Sequence, residues 1–282
     1  MSRIVEYLNG NKIHPGSTIL NGENRSFLFG DGLFETIRIF NGKPQFLSSH
    51  IERMIFGMDR MCLEHPLEAF EKHMHEFISV TVQTERISNG RARLTIYRDA
   101  SGFYTPSDLN SSWHLVIREN EAKDLTTFAK CKLVLFPSMR KDNSMVSRFK
   151  TTSSLIYVMA GLHAASSGAE ECIIMNNENR LVESHTSNLF LKNGNEYYTP
   201  PVTEGCIDGV MRRHLIGIMN RNDITVREIP LTKADLLNAD EVLLTNVMNW
   251  VKNVTEFENR KYSAESAEKL NKLVSDYLSG FN

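Results

Sequence analysis

The sequence predicts an α+β fold. Short alternating or apolar runs of strand length and longer runs with apolar residues three and four apart follow one another in mixed order. They lack the regular strand, helix, strand alternation of a doubly wound parallel sheet. The composition of the 282 residues, 41% hydrophobic and 23% charged, is that of a globular chain long enough for one large domain or two modest ones.

The elements follow in order. Residues 47–61 place Leu47, Ile51, Met54, Ile55, Met58 and Met61 at helical spacing, with Ser49 and Glu52 fitting a capping box at the start. Residues 93–97 and 114–118 read as strands. The polar stretch 119–127 reads as a linker, which puts a domain boundary near residue 120. After a strand at 132–136, residues 153–167 repeat Leu155, Val158, Met159 and Leu162 at helical spacing, and Gly168 is placed to end that helix. Strands follow at 171–175 and 188–192, and Asn193 with Gly194 signals a hairpin. A helix over 210–219, a strand over 241–245 and an amphipathic helix in the last twenty residues complete the chain.

Charge and composition exclude several classes. Thirty-two Lys and Arg stand against 34 Asp and Glu, a net charge of −2, so no global field favours nucleic acid or an anionic membrane. No apolar run approaches the roughly 18 to 20 residues of a membrane span, and residues 1–8 carry no signal-peptide core, so the chain is expected to be cytoplasmic. The four cysteines lie far apart, which reads as buried thiols rather than a zinc site. His73 and His75, the closest histidines, would fall on different sides of a helix, so no metal is expected.

Five segments could carry chemistry. Residues 27–38, FLFGDGLFETIR, set two glycines about an aspartate before an alternating strand and, taken alone, make a tight bend. Arg53, three residues after His50, could grip a phosphate bidentately, although a lone helical arginine is ordinarily solvated or ion-paired. Lys150, in RFKTTSSL, precedes hydroxyl residues that would cap a helix; partial desolvation would free its amine to form a Schiff base. Glu183, in LVESHTSNLF, is either exposed or held by a cation, and a protonated pyridine nitrogen would be such a partner. Residues 205–212, GCIDGVMR, lead glycines into a helix whose first N–H groups suit an anion.

Taken in order, G-D-G-x-F-E-T-x-R, H-x-x-R, the Lys150 segment, E-x-x-x-S-N-x-F and G-V-M-R resemble the aminotransferase class IV family over about residues 3–255. These are the fold-type IV enzymes that use pyridoxal 5'-phosphate, among them branched-chain and D-amino acid aminotransferases and aminodeoxychorismate lyases. The resemblance implies that Lys150 forms the Schiff base with the cofactor and then shuttles the substrate α-proton. It implies that Glu183 keeps the pyridine nitrogen protonated, and that Arg53, the backbone of Val210 and Met211, and Asn246 bind the phosphate. Asn188 would support the site from its strand, Arg98 would meet the substrate carboxylate, and Phe34 would stand as an aromatic wall. The implied architecture is a smaller α+β domain over 1–120, a larger barrel-like domain over 121–282, pyridoxal phosphate in the cleft between them, and a homodimer.

Details divide the family's members. Branched-chain enzymes usually carry tyrosine five residues after the lysine, where this chain has Leu155; they often have glutamate where Ser187 stands, and their G-T-A turn is absent. The T-N step at 245–246 and G-V-M-R are similar to the lyases. The first reading is an aminotransferase acting between an amino acid, of branched-chain or D-amino acid type, and a 2-oxo acid. The alternative is a lyase that converts 4-amino-4-deoxychorismate to 4-aminobenzoate and pyruvate.

Overall fold

A computed structural model describes residues 3–120 and 131–280. The chain divides into two units, Met1–Lys123 with Phe149–Ser154, and Asp124–Arg148 with Leu155–Asn282. The expected linker, 119–127, lies beyond its first two residues outside the described residues.

The first unit contains β1 (Ile4–Leu8), β2 (Asn11–Ile13), α1 (Arg25–Phe29), β3 (Gly32–Phe40), β4 (Lys43–Pro44), α2 (Leu47–Arg60), α3 (Phe70–Thr84), β5 (Gly90–Arg98) and β6 (Ser111–Glu119). Its antiparallel sheet runs β2-β1-β6-β5-β3-β4. Alternation decides the faces. Leu33, Glu35 and Ile37 on β3 stand opposite Ile96, Leu94 and Ala92 on β5, which stand opposite Trp113, Leu115 and Ile117 on β6. All of these are buried, and Glu35 is the single charge in the row. Leu47, Ile51, Met54 and Met58 of α2 and Phe70, Met74, Ile78 and Val82 of α3 complete that core. Phe149 joins the same core from beyond the end of β6, with Ile117 its nearest core neighbour in sequence.

Two expectations are corrected here. Helix α2 begins without the capping box: its N-cap is Phe46 in the left-handed region at φ 53°, with no side-chain cap, and Ser49 and Glu52 lie inside the helix. Helix α3 escaped the sequence reading although its buried residues recur at spacings of four.

The second unit contains β7 (Lys132–Arg140), α4 (Leu155–Ser166), β8 (Glu171–Met175), β9 (Arg180–Ser184), β10 (Asn188–Asn193), β11 (Glu196–Thr199), α5 (Val210–Arg221), β12 (Val226–Glu228), β13 (Leu231–Thr232), α6 (Lys233–Asn238), β14 (Glu241–Asn246), β15 (Trp250–Val254), β16 (Glu256–Phe257), β17 (Arg260–Lys261) and α7 (Ser266–Ser279). One sheet runs β12-β11-β10-β14-β15 and the other β13-β9-β8-β7-β16-β17. Leu133, Ile173 and Leu181 from the second sheet share one core with Leu189, Val242 and Leu244 from the first, which gives the barrel-like arrangement. Gly194, at φ 57°, and Asn195 form the turn joining β10 to β11, one residue later than the Asn-Gly signal placed it, because Asn193 still pairs with Glu196 in the ladder.

Helix α4 packs in an unexpected sense. It buries Ala160 and Ala164 near Phe136, Cys172 and Ile174, while Leu155, Val158, Met159 and Leu162 remain exposed. Small residues let the helix lie close to β7 and β8, and the larger stripe faces away. Burial pushes the thiols of Cys131, Cys172 and Cys206 up to about 11, 12 and 12, whereas Cys62 is exposed, contrary to expectation. Among the described residues no His, Cys, Asp and Glu side chains group to hold a metal ion, and no helix is long and apolar enough to cross a membrane.

Candidate active site

In the first unit, alternation along β3 turns Glu35 to the core face and Phe34 to the other. Helical spacing of three brings His50 and Arg53 of α2 together over Glu35. Arg53 Nε and Nη2 donate to the two Glu35 carboxylate oxygens at 2.6 and 2.7 Å, and His50 Nδ1–H donates to Oε2 at 2.7 Å. Burial alone would raise the Glu35 carboxyl; the charges of Arg53 and His50 and their hydrogen bonds overcome it and bring it to about 2. Burial lowers the His50 imidazole more than Glu35 raises it, with Arg53 and Lys150 adding to the lowering.

Lys150 is stitched to the start of β3. Phe34 N–H donates to Lys150 O at 2.9 Å, and Thr152 N–H and Oγ1–H both donate to Gly32 O, at 2.9 and 3.1 Å. The two glycines of the 27–38 segment serve this junction. Gly30 caps α1 at φ 68°, and a Cβ there would stand 2.9 Å from Ser153 Cβ; a Cβ at Gly32 would stand 2.7 Å from Ile96 O. The lysine backbone is thus fixed while Nζ lies 5.5 Å from the centre of the Phe34 ring.

The two arginines of β5 behave differently. Arg98, read from the sequence as a substrate contact, is buried: Nε donates to Asp31 at 2.9 Å, and Nη1 and Nη2 donate to the carbonyls of Cys62 and Met61 at 2.9 and 2.7 Å. It secures the chain just beyond the C-terminal end of α2. Arg93, passed over in the sequence, lies on the Phe34 face with its guanidinium carbon 3.6 Å from that ring's centre. No carboxylate pairs with Arg93 among the described residues. Its signal was its position on the neighbouring strand two residues from Thr95, the partner of Phe34.

In the second unit, Glu183 near the end of β9 is buried. Its Oε1 accepts from Lys141 Nζ at 2.9 Å and from Tyr157 O–H at 2.8 Å; its Oε2 accepts from Ile207 N–H at 3.1 Å. Asn188, at the start of β10, donates to Ile207 O at 2.8 Å and lies 3.5 Å from Glu183 Oε2. A Cβ at Gly209 would fall 1.9 Å from Asn188 Oδ1, so glycine alone admits this approach. Neither Lys141 nor Tyr157 was singled out in the sequence, because their partner lies 42 and 26 residues away.

The second unit also fits a phosphorylated group. Helix α5 starts at Val210 and Met211 behind Gly209, which provides no side-chain cap, leaving first-turn N–H groups for an anion. Opposite Asn188 across the β10–β14 ladder, the buried Thr245 hydroxyl finds no hydrogen-bond partner among the described residues. Asn246 is otherwise engaged: Nδ2 donates to Ser187 Oγ at 2.9 Å and Thr186 O at 3.3 Å, and Oδ1 accepts from Met248 and Asn249 N–H. It ties two loops together through its side chain.

Glu171 holds the loop between Glu183 and Asn188. Its buried carboxylate accepts from Ser184 Oγ at 2.9 Å, Thr186 Oγ1 at 2.6 Å and Lys252 Nζ at 3.0 Å. Burial would raise it, but these donors and His185 bring it to about 2.

Residues 32–257 match the family model for amino-transferase class IV. The chain is 26% identical to an aminodeoxychorismate lyase of Bacillus subtilis, over 95% of this chain and 91% of that protein. It is 25% identical to a D-alanine aminotransferase of Bacillus licheniformis, over 96% and 94%. Among solved structures, the branched-chain aminotransferase of Thermoproteus uzoniensis superposes with a TM-score of 0.90 over 99% of this chain and 96% of that one; at 21% identity that likeness concerns the fold.

Proposed function

Because the chain belongs to the class IV aminotransferase family, we propose that it moves an amino group between an amino acid, of branched-chain or D-amino acid type, and a 2-oxo acid, with pyridoxal 5'-phosphate as cofactor. The observation that carries this reading is Lys150, its backbone fixed to β3 and its amine directed over the Phe34 ring. When bound, the cofactor supplies an aldehyde that condenses with amines and a ring that accepts electrons as the α-proton leaves.

The chain's own residues then divide the work. Lys150 Nζ anchors the cofactor and carries the proton to and from the substrate α-carbon. Glu183 Oε2, the carboxylate oxygen with acceptor capacity left, holds the proton on the ring nitrogen. The start of α5 at Val210 and Met211, with Thr245 and Arg53, receives the phosphate, while Asn188 and Asn246 position this side of the site. Arg93 replaces Arg98 as the residue proposed for the substrate carboxylate, since no carboxylate among the described residues pairs with its guanidinium, whereas Arg98 is held by Asp31. Phe34 remains the proposed aromatic wall, with Arg93 and Lys150 both near its ring.

Borohydride fixation of added pyridoxal phosphate followed by peptide mapping tests the reading. The cofactor is expected on Lys150; fixation on Lys141, or on no lysine, would overturn it. We place the enzyme in the cytoplasm on the same reading, as four free thiols suit reducing surroundings. We also read it as a homodimer, supported by the exposed Leu155, Val158, Met159 and Leu162 stripe of α4.

The lyase is the second reading, favoured by one observation. Leu155, at the position of the branched-chain enzymes' tyrosine, is 63% exposed, and the nearby Tyr157 is turned to Glu183. Incubation with 4-amino-4-deoxychorismate separates the two: accumulation of pyruvate and 4-aminobenzoate with no consumption of a 2-oxo acid supports the lyase.

A further inference from the structure

We infer that Lys141, by holding Glu183 Oε1, keeps the proton shared between Glu183 Oε2 and the cofactor on the ring nitrogen rather than on the carboxylate. This inference rests on the role given to Glu183 above.

An ammonium has three donors, and Lys141 uses three acceptors: Glu183 Oε1 at 2.9 Å, Ser147 O at 3.2 Å and Gly205 O. None remains for a substrate. Lys141 is therefore a positioning residue and not a second reactive amine. Its backbone is held as firmly as its side chain. Gly205 sits at φ 101°, and a Cβ there would come within 2.7 to 2.9 Å of the 141–143 backbone. The Tyr157 ring, whose hydroxyl shares Oε1, lies 5.8 Å from the ammonium.

The carboxylate is consequently divided. Two donors fill Oε1, while Oε2 has one good donor, Ile207 N–H, and a distant one in Asn188. A ring N–H meeting Oε2 would share its proton with a carboxylate whose other oxygen already faces a cation. Coulomb attraction falls with distance, so Lys141 favours negative charge on Glu183 more than it opposes positive charge on the ring beyond it. Without Lys141 the proton shared with a bound ring would shift from the ring nitrogen toward Oε2. No bond to carbon changes and the total charge of the pair is conserved, but the ring loses the positive charge that draws electrons from the substrate.

The test uses holoprotein loaded with pyridoxal phosphate labelled with 15N in the ring, compared by NMR across Lys141→Met, Lys141→Gln, Lys141→Arg and Glu183→Gln. We expect wild type and Lys141→Arg to share the protonated resonance position. Lys141→Met and Lys141→Gln should shift toward the unprotonated position, in the direction taken by Glu183→Gln. With an amino donor, kcat of Lys141→Met should fall tenfold or more while KM stays within about twofold. If Glu183→Gln shifts the resonance and neither neutral Lys141 variant does, the inference is overturned and the reading of Glu183 stands. If Glu183→Gln leaves the resonance in place, the reading itself falls and the inference with it. Should Lys141→Met fail to fold, as its apo melting curve would report, Lys141→Gln keeps a polar side chain and carries the same comparison.

Discussion

Glu35 stands in an apolar row where burial opposes its ionisation, and Arg53 and His50 reverse that opposition. An unfolded glutamate titrates near 4.3, so a folded value of about 2 means that the stabilising contribution is present above roughly pH 4.3 and disappears as pH falls toward 2. For one such group that contribution is on the order of 3 kcal/mol. Glu171 titrates in the same window for the same reason. Glu35→Gln is therefore expected to melt lower at neutral pH, with a shallower fall in Tm between about pH 5 and 2. Melting curves parallel to wild type across that range would contradict the assignment. Arg93 and Arg98 make a second contrast. Arg93→Met should raise KM for the amino donor tenfold or more with Tm nearly unchanged, whereas Arg98→Met should lower Tm by releasing Asp31 and the chain after α2. Steady-state kinetics beside melting would reveal a reversal. Residue types announced Lys150 and Glu183 in the sequence because their neighbours form ordered motifs. The two arginines could not be ranked, since partnership is set by the register of β5 against β3 and by a carboxylate 67 residues distant from Arg98.

Among the elements, local pattern sufficed where one face is buried. Strands β8 and β14 and helices α2 and α5 lie within a few residues of their expected spans, because apolar spacing alone identifies them. Capping was less legible: the Ser49 and Glu52 pair matches a capping box, yet Phe46 enters α2 through a left-handed residue after β4. The G-D-G bend was visible as a turn, but its reason, the close approach of Ser153 to Gly30, belongs to a segment more than a hundred residues away. Gly30→Ala would place a Cβ at φ 68° and within 3 Å of Ser153, a strain costing about 1 to 3 kcal/mol. We expect lower Tm together with weaker retention of pyridoxal phosphate, measured by absorbance titration. Unchanged retention would separate Gly30 from the Lys150 junction.

For the whole molecule, the family architecture was legible because its motifs occur in order over most of the chain, whereas the assembly depends on which surfaces stay uncovered. Helix α4 shows why: its larger apolar residues recur at helical spacing as a core stripe would, but the unit packs on Ala160 and Ala164 instead. Leu162→Glu should convert a dimer to monomers in sedimentation without lowering Tm of the isolated chain, and a wild-type monomer would remove that reading. The excursion of residues 149–154 also bears on biosynthesis. Phe149 lies in the first unit's core, and its ring carbons would be 2.9 to 3.0 Å from a Cβ at Gly57. A ribosome that has released residues 1–120 has therefore delivered an amino-terminal unit with a ring-sized hole in it. That unit can close only when some thirty further residues have emerged, and the segment that fills the hole brings the reactive lysine with it.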